Sequence, residues 1–281
     1  MKVVAKDILA PRIVRLVVEA PRIAAKAQPG HFVVVRLDDR AERIPLTIAD
    51  FDRAAGTITL IIQEVGKSTA LINALEPGQS FADILGPLGT PYPIETVGTV
   101  VGVAGGLGAA PLYPKVKALH EAGNRVIVIL GAQRRELLIL MEELRAVCHE
   151  LIIATDDGSY GEHGLVTMPL RRVLEREKVA EVIAIGPVPM MDACCQITRE
   201  LKVKTVVSLN AVMVDGTGMC GGCRVNVGGQ SKFCCVDGPA FDGLQVDFAE
   251  LRQRQRYYQA QERGAYQAYQ DGMEGCRCRA K

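Results

Sequence analysis

The residues with the clearest chemical pattern lie between 213 and 239, in the stretch MVDGTGMCGGCRVNVGGQSKFCCVDGP. Four of the nine cysteines fall here, at Cys220, Cys223, Cys234 and Cys235, and Asp215 precedes the first of them by five residues. Thiolates bind zinc and iron–sulfur clusters. Because the cysteine number is odd and the cysteines are clustered late in the chain, metal ligands or free thiols are favoured over disulfide bonds.

Two kinds of metal site compete for these residues. A four-cysteine zinc site usually has a second spaced pair, but Cys234 and Cys235 are adjacent, and neighbouring side chains on an extended chain point to opposite faces. A plant-type [2Fe–2S] site follows C-x4-C-x2-C with a distant fourth cysteine. Asp215, Cys220 and Cys223 match this spacing, among glycines that let the backbone turn its N–H groups toward cluster sulfides. The spacing favours the iron–sulfur cluster, and leaves Asp215 as either a ligand or a turn residue.

A second pattern, GVAGGLGAAP at residues 102–111, follows an apolar run and precedes a predicted helix. A glycine-rich turn of this kind brings backbone N–H groups and a helix N-terminus to face a pyrophosphate. Later apolar runs end in GAQR (131–134), TDDGS (155–159) and GPVPM (186–190). Ligands of open parallel sheets bind beyond such strand ends, so the set favours nucleotide binding over strand–helix packing alone.

The elements that must position these residues fall into two regions. Residues 1–97 contain short β-type runs separated by turns, which predict a small antiparallel barrel with one helix at Lys67–Leu75. Residues 98–207 alternate Val- and Ile-rich runs with helical patterns, which predict a parallel sheet covered on both faces. Helices are expected through His120, around Arg135–Val147, near Leu165–Lys178 and near Met190–Leu201. The cysteine segment (208–248) and a polar helical tail (249–281) follow.

Two short motifs in the barrel region suit a diphosphate. RIPLTI places Arg43 beside a proline-fixed strand, and VGKST begins the predicted helix with Ser68 and Thr69 in its first turn. Taken alone, Arg43 is better explained as a surface charge and Ser68 as a helix cap.

Bulk composition excludes several classes of function. A length of 281 residues predicts two or three domains, and 48% hydrophobic residues predict a packed globular protein. The formal charge of +1 gives no basic or acidic excess for nucleic acid or for a membrane surface. Because we find neither a signal-peptide pattern nor an apolar run of the ~18 residues that a spanning helix needs, we expect a cytoplasmic protein.

In chain order, RIPLT, GKST, GGLGAAP and D-x4-C-x2-C-x11-C resemble the ferredoxin reductase-like flavoproteins. Within them, the chain is most similar to the small (alpha) subunits of NADH-dependent reduced ferredoxin:NADP oxidoreductases, which are of the sulfide dehydrogenase type. The dihydroorotate dehydrogenase electron-transfer subunits are related to these. The resemblance covers about residues 1–248. Asp215 favours the first group, because the dihydroorotate dehydrogenase partner normally has cysteine there.

The resemblance implies three cofactors, FAD on the barrel, NAD(H) on the second domain and a [2Fe–2S] cluster on the cysteine segment. For FAD it implies Arg43, Pro45, Leu46 and Thr47 along the flavin, and Val65, Gly66, Lys67, Ser68 and Thr69 near the pyrophosphate. For NAD(H) it implies Gly105, Gly106, Gly108, Ala110, Pro111, Asp156, Asp157, Gly158, Gly186 and Pro187. For the cluster it implies Asp215, Cys220, Cys223 and Cys235, with Cys234 packed inward or spare. Arg134 adds a cation that suits a 2′-phosphate, although the resemblance favours NAD(H) over NADP.

The resemblance also implies electron transfer to a larger partner subunit that carries a second FAD and two [4Fe–4S] clusters. The pair would couple NADH and reduced ferredoxin to NADP reduction by flavin-based electron bifurcation. Since the cofactors carry this chemistry, we predict no catalytic side chain. The alternatives are the electron-transfer subunit of an NAD-dependent dihydroorotate dehydrogenase, a stand-alone flavin reductase, and a zinc or redox-sensing module without flavin. The tail, with Cys276 and Cys278, receives no predicted role.

Overall fold

The N-terminal region folds as a six-stranded antiparallel barrel in the strand order β1-β2-β5-β4-β3-β6. The computed structural model describes the backbone of residues 1–279 and the side chains of residues 1–272. A β-bridge between Lys2 and Ser80 joins the two end strands and closes the barrel, as predicted. Its elements are β1 (Val3–Ala10), β2 (Ile13–Glu19), α1 (Pro21–Ala24), β3 (Phe32–Arg36), β4 (Arg43–Asp52), β5 (Thr57–Gln63), α2 (Lys67–Asn73) and β6 (Asp83–Leu88).

Strand β3 is apolar on both faces, and its two faces belong to different cores. Val33 and Val35 point into the barrel interior, whereas Phe32 and Val34 pack in the core that contains the cysteine segment. Alternate side chains of a strand point to opposite sides, so this run of four apolar residues joins the barrel to the segment behind it.

The second region is a seven-stranded sheet in the order β10-β9-β8-β7-β11-β12-β15. All neighbours are parallel except the edge pair of β12 and β15. Helices α3 and α4 cover one face, and α5 and α6 cover the other, as predicted. The elements are β7 (Thr99–Gly105), α3 (Ala109–Glu121), β8 (Arg125–Ala132), α4 (Met141–Ala146), β9 (Glu150–Thr155), β10 (Glu162–His163), α5 (Thr167–Arg176), β11 (Glu181–Ile185), α6 (Val188–Glu200), β12 (Lys204–Ser208) and β15 (Ala240–Asp242).

The helix predicted around Arg135–Val147 is wrong in its first half. A 3-10 turn at Arg135–Leu137 is followed by three non-helical residues, and α4 begins only at Met141. Leu138, Ile139 and Leu140 are all buried, and a helix rotates successive side chains by about 100°, so three in a row cannot share one buried face. The chain leaves the helix there, with Leu140 in the left-handed region at φ 57°.

The cysteine segment contains a hairpin of β13 (Arg224–Val227) and β14 (Gln230–Phe233), and β15 then returns to the edge of the large sheet. The tail predicted as one helix forms two, α7 (Phe248–Gln255) and α8 (Gln259–Arg279). Tyr266 on α8 donates a hydrogen bond of 2.5 Å to Glu64 and accepts one from Arg12, so α8 contacts the barrel of its own chain. Cys276 and Cys278 lie outside the residues whose side chains are described. Among the described residues, no helix is both long enough and apolar enough to span a bilayer.

Candidate functional site

The four predicted cluster ligands lie as two close pairs. Asp215 Oδ1 is 3.4 Å from Cys220 Sγ, and Cys223 Sγ is 3.2 Å from Cys235 Sγ. Across the side chains that the structure describes, no three His, Cys, Asp or Glu residues converge as ligands of one ion. A two-iron cluster takes two protein ligands on each iron, so the donor set and its pairing fit that group.

The adjacent cysteines are directed to different neighbours. Cys235 lies against Cys223, and its backbone N–H is 3.4 Å from Cys223 Sγ. The Cys234 thiol is fully buried beside the backbone of Ala211, with Cys223 also nearby. Cys234 and Cys235 lie in the turn that follows β14, where the Val236 and Asp237 N–H groups both donate to the Phe233 carbonyl oxygen, so a turn rather than extended chain separates the two thiols. The separation matches the assignment of Cys235 as ligand and Cys234 as an inward-packed thiol, an assignment that stays a prediction.

Asp215 organises the loop that carries Cys220. Its carboxylate accepts hydrogen bonds from the backbone N–H groups of Thr217, Met219 and Cys220, at 3.1, 3.2 and 3.1 Å. The Thr217 N–H is the main cause that lowers the pKa of Asp215, so this carboxyl group is charged at neutral pH. The three hydrogen bonds from backbone N–H groups are typical of an aspartate that stabilises a turn. The contact with Cys220 Sγ is what two ligands of the same cluster would make. The geometry is therefore compatible with Asp215 as a turn residue and with Asp215 as a ligand.

The loop between Asp215 and Cys223 needs glycine for its backbone. Gly216, Gly218 and Gly221 have φ values of 76°, 86° and 66°, in the left-handed region that other residues rarely adopt. The turns bring the Gly222 N–H to 3.4 Å from Cys220 Sγ. N–H donors of this kind stabilise negative charge on ligand sulfur.

The surface around Cys220 is apolar and open. Met219 is 89% exposed, Val214 is 53% exposed and Val236 is 42% exposed. Val236 lies beside Gly218, and Val214 lies beside Gly222. Exposed apolar side chains that cluster around a single loop commonly mark a protein contact surface.

A cavity of about 850 Å³ lies where the barrel, the large sheet and the cysteine segment meet. Its size is typical of cofactor sites. Twelve of the residues predicted for FAD and NAD(H) line it: Pro45, Leu46, Thr47, Val65, Gly105, Gly106, Gly108, Ala110, Pro111, Asp156, Gly186 and Pro187. The cysteine segment adds Asn210, Ala211 and Met213. The three regions predicted for different cofactors therefore border one space.

The other residues predicted for FAD, both along the flavin and near the pyrophosphate, lie outside that lining. Arg43 begins β4 and is exposed. Thr69 Oγ1 accepts hydrogen bonds from the N–H groups of Val65 and Gly66 and so caps α2, while Ser68 donates to the carboxylate of Glu42. Ser68 thus faces an anionic acceptor within the chain. The contact of these residues, and of Lys67, with a pyrophosphate stays a prediction.

The nucleotide loop requires glycine at one position for reasons of space. A Cβ added to Gly108 would stand 2.1 Å from the Ile185 carbonyl oxygen, well inside van der Waals contact. The loop after β7 therefore passes directly over the end of β11, and α3 begins one residue later, at Ala109. This close passage of backbone leaves the start of α3 open toward the cavity, as a bound pyrophosphate requires.

The loops after β8 and β9 form a polar rim beside the cavity. The Arg135 N–H donates to Ser159 Oγ at 2.8 Å, and the Arg135 guanidinium lies over the Tyr160 ring at 5.2 Å. Hydrogen bonds from Ser159 lower the pKa of Asp157. Arg134 is exposed and pairs with Glu136 at 3.6 Å. Arg134, Asp157 and Gly158 are not in the cavity lining, whereas Gln133 and Asp156 are.

Several side chains of the cavity carry no signal in the sequence. Met190, at the start of α6, packs against both Gly105 and Gly186 and lines the cavity. Phe32 and Met213 also line it. The GPVPM motif indicates that the strand end lies at the site, but it does not single out the side chain of Met190. Phe32 belongs to no short motif, and its sequence context is that of an ordinary strand residue.

The fold and the donor set define an oxidoreductase subunit with a ferredoxin reductase-like architecture. Residues 210–247 match the family model for the iron–sulfur cluster binding domain of dihydroorotate dehydrogenase B. The cytochrome b5 reductase domain of Ulva prolifera nitrate reductase has the same fold, with a TM-score of 0.59 at 18% identity over 72% of this chain and 92% of that chain. The predicted fold class is therefore confirmed.

Two closer comparisons fix the family. The dihydroorotate dehydrogenase B (NAD(+)) electron transfer subunit homolog of Thermotoga maritima is 44% identical over 252 residues, or 90% of this chain and 89% of that protein. A chain in the solved structure of an NADH-dependent reduced ferredoxin–NADP oxidoreductase, which was studied for flavin-based electron bifurcation, is 42% identical. Its TM-score is 0.91 over 95% of this chain and 97% of that chain. The chain belongs to the family of dihydroorotate dehydrogenase B electron-transfer subunits and their homologues.

Proposed function

We propose that this chain is the electron-transfer subunit of a bifurcating NADH-dependent reduced ferredoxin:NADP oxidoreductase. It would pass electrons between NAD(H), FAD and a [2Fe–2S] cluster to a larger subunit that carries a second FAD and two [4Fe–4S] clusters. The observation that carries the proposal is the cavity shared by the barrel, the nucleotide loop and the cysteine segment. The likeness of the whole chain to the structure of such an oxidoreductase supports it.

The cavity explains how the chain's residues would serve electron transfer. Pro45 and Thr47 on β4 form one wall, the glycine loop and Met190 form another, and Ala211 and Met213 close the side toward the cysteines. The bound cofactors supply hydride transfer from NADH to the flavin and single-electron exchange with the cluster. The chain's part would be to hold both cofactors in this mainly apolar space and to exclude water from it.

The pairing of the ligands supports a [2Fe–2S] cluster over a zinc ion. Asp215 and Cys220 would hold one iron, and Cys223 and Cys235 the other. Burial raises the pKa of the Cys235 thiol to about 12, so cluster assembly would have to displace its proton.

The apolar surface around Cys220 supports a partner that docks over the cluster. Met219, Val214 and Val236 offer contact area next to the most exposed of the predicted ligands. Docking there would bring the partner's cofactors close to the cluster and would bury the three side chains.

The second candidate is the electron-transfer subunit of an NAD-dependent dihydroorotate dehydrogenase. The match of residues 210–247 and the Thermotoga maritima relative favour it. It shares the fold, the flavin, the nucleotide and the cluster, and it differs in the partner. The aspartate at position 215 favours the bifurcating oxidoreductase, because the resemblance in the cysteine motif is to that group.

The deciding experiment is anaerobic purification of the chain from its own cell, followed by mass spectrometry of the proteins that come with it. A larger flavoprotein with several [4Fe–4S] cysteine motifs would support the proposal. A dihydroorotate dehydrogenase barrel subunit would transfer the function to the second candidate, and no partner would favour a stand-alone flavin reductase. Flavin, iron and acid-labile sulfide measured in the same sample test the cofactors, and zinc without flavin or sulfide would reject all three functions.

A further inference from the structure

Helix α7 follows the cysteine segment and is fixed in place by its own sequence. Asp247 caps its N-terminus by accepting a hydrogen bond of 2.9 Å from the Glu250 N–H, and Phe248 and Leu251 are buried in the core that contains the cysteines. Arg252 forms a 2.8 Å ion pair with Asp192 on α6. The helix is therefore anchored to the large sheet and presents its last turn to the cysteine loop.

The last turn of α7 forms hydrogen bonds with the cysteine segment at two points. Arg254 Nη2 donates to the Gly222 carbonyl oxygen at 3.1 Å. Gln255 Nε2 donates to the backbone oxygen and to Oδ1 of Asn210, at 3.0 and 2.8 Å. Asn210 lies near the start of the segment (208–248), and Gly222 lies between the predicted ligands Cys220 and Cys223. One helical turn therefore holds both the start of the segment and its ligand-bearing turn.

Gly222 transmits this contact directly to the ligand set. Its N–H is 3.4 Å from Cys220 Sγ, and its carbonyl group belongs to the peptide bond that leads into Cys223. Arg254 is half-buried, and a guanidinium group keeps its charge at every relevant pH. A cluster becomes more negative when it is reduced, so a fixed positive charge beside it favours the reduced state.

We propose that Arg254 is a positioning residue that sets the reduction potential of the cluster and holds the turn between Cys220 and Cys223. Arg254 lies beyond residues 210–247, the part that matches the iron–sulfur domain. The inference rests on the proposed function, because it requires a cluster on these cysteines.

The test compares Arg254→Gln and Arg254→Lys with Arg256→Gln in the purified complex. Arg256 is exposed and lies two residues further on, so its replacement removes an equal charge from the end of the same helix. The cluster potential is measured by a redox titration followed by electron paramagnetic resonance. Cluster release to a chelator is followed by the loss of acid-labile sulfide.

We expect Arg254→Gln to shift the potential to a more negative value and to release the cluster on the order of tenfold faster, because a charge-assisted hydrogen bond is lost. Arg254→Lys should recover most of the potential, and Arg256→Gln should leave both values unchanged. If Arg254→Gln assembles no cluster, Arg254→Lys decides: a cluster at nearly the wild-type potential supports the proposal, and a large negative shift despite the retained charge, or no cluster, overturns it.

Two other results are decisive. Arg254→Gln with the wild-type potential and release rate overturns the role of Arg254 and leaves the proposed function standing. A wild-type complex without iron and acid-labile sulfide overturns the proposed function itself, and the role of Arg254 falls with it.

Discussion

Replacing Lys115 by methionine is expected to flatten the pH dependence of stability. Lys115 lies on α3, six residues after its start at Ala109, and is fully buried against Gly30 and Tyr92 of the preceding region. Its Nζ has no hydrogen-bond partner among the described residues and lies 5.6 Å from the centre of the Tyr92 ring. Burial, and then Glu181, raise the pKa of Tyr92, so its phenol stays neutral and offers Lys115 no counter-charge.

The magnitude follows from the pKa of Lys115. Burial lowers it from the ordinary 10.5 to about 7. Between these two values the unfolded chain binds more protons than the folded chain, so stability rises with pH. The free-energy cost of burying the protonated Lys115 is fully present below pH 7 and disappears toward pH 10.5. From pH 6 to pH 8.5 the wild-type free energy of unfolding should therefore rise by about 2 kcal/mol through this residue.

Urea unfolding followed by circular dichroism, under reducing conditions, measures this difference at each pH. Lys115→Met removes the titrating group and keeps an unbranched side chain, and Lys26→Met changes an exposed lysine as a control. Burial also lowers the pKa of His31, but His31 titrates in all three proteins and cancels in their comparison. If the free energy of unfolding of the wild type and of Lys115→Met changed with pH in parallel, the conclusion that burial lowers the pKa of Lys115 would be refuted.

The remaining predictions concern the cofactor sites. Cys235→Ser should lose acid-labile sulfide because it removes a predicted cluster ligand. Cys234→Ala should keep the sulfide and lower the free energy of unfolding by about 1 kcal/mol. If a sulfide assay gave the reverse pattern, Cys234 would be the ligand and Cys235 the packed thiol. Asp215→Cys should keep the cluster and move its potential, and an unchanged potential and spectrum would reject Asp215 as a ligand. Gly108→Ala should weaken NADH binding at least tenfold in a titration of flavin reduction, because its Cβ would stand 2.1 Å from a carbonyl oxygen. Gly264→Ala has open space around its Cβ and should bind NADH as the wild type does.

The sequence predicts the two large regions well because each repeats one simple pattern. Short β-branched runs between turns give the barrel, and buried apolar runs that alternate with helices give the parallel sheet. The errors arise where tertiary contacts override the local pattern. Leu138, Ile139 and Leu140 are not helical, because all three consecutive side chains are buried. Strand β15 pairs with β12 at the sheet edge although more than thirty residues of the cysteine segment separate the two strands.

The candidate site is predictable where spacing alone carries the information. The spacing of Asp215, Cys220 and Cys223 is visible in the sequence, and the structure has a contact between Asp215 and Cys220. The expectation of extended chain at Cys234 and Cys235 is wrong, because both residues lie in a turn after β14. Met190 and Arg254 could not be found in this way. Met190 ends the GPVPM motif, but nothing in the motif marks its side chain, and Arg254 lies on a helix without a chemical motif. Only the packing of the two helices reveals these contacts.

Phe32 shows why the flavin and the cluster regions cannot be treated as independent. Its ring borders the shared cavity, and it also belongs to the buried core that contains Cys223 and Cys235. The next residue, Val33, points to the barrel interior, so the alternation of one strand connects all three environments. A shift of the ring toward the cavity would change the packing behind the cysteines. We therefore predict that a change in the packing of β3 affects both the cavity and the core behind Cys223 and Cys235, although β3 belongs to the barrel.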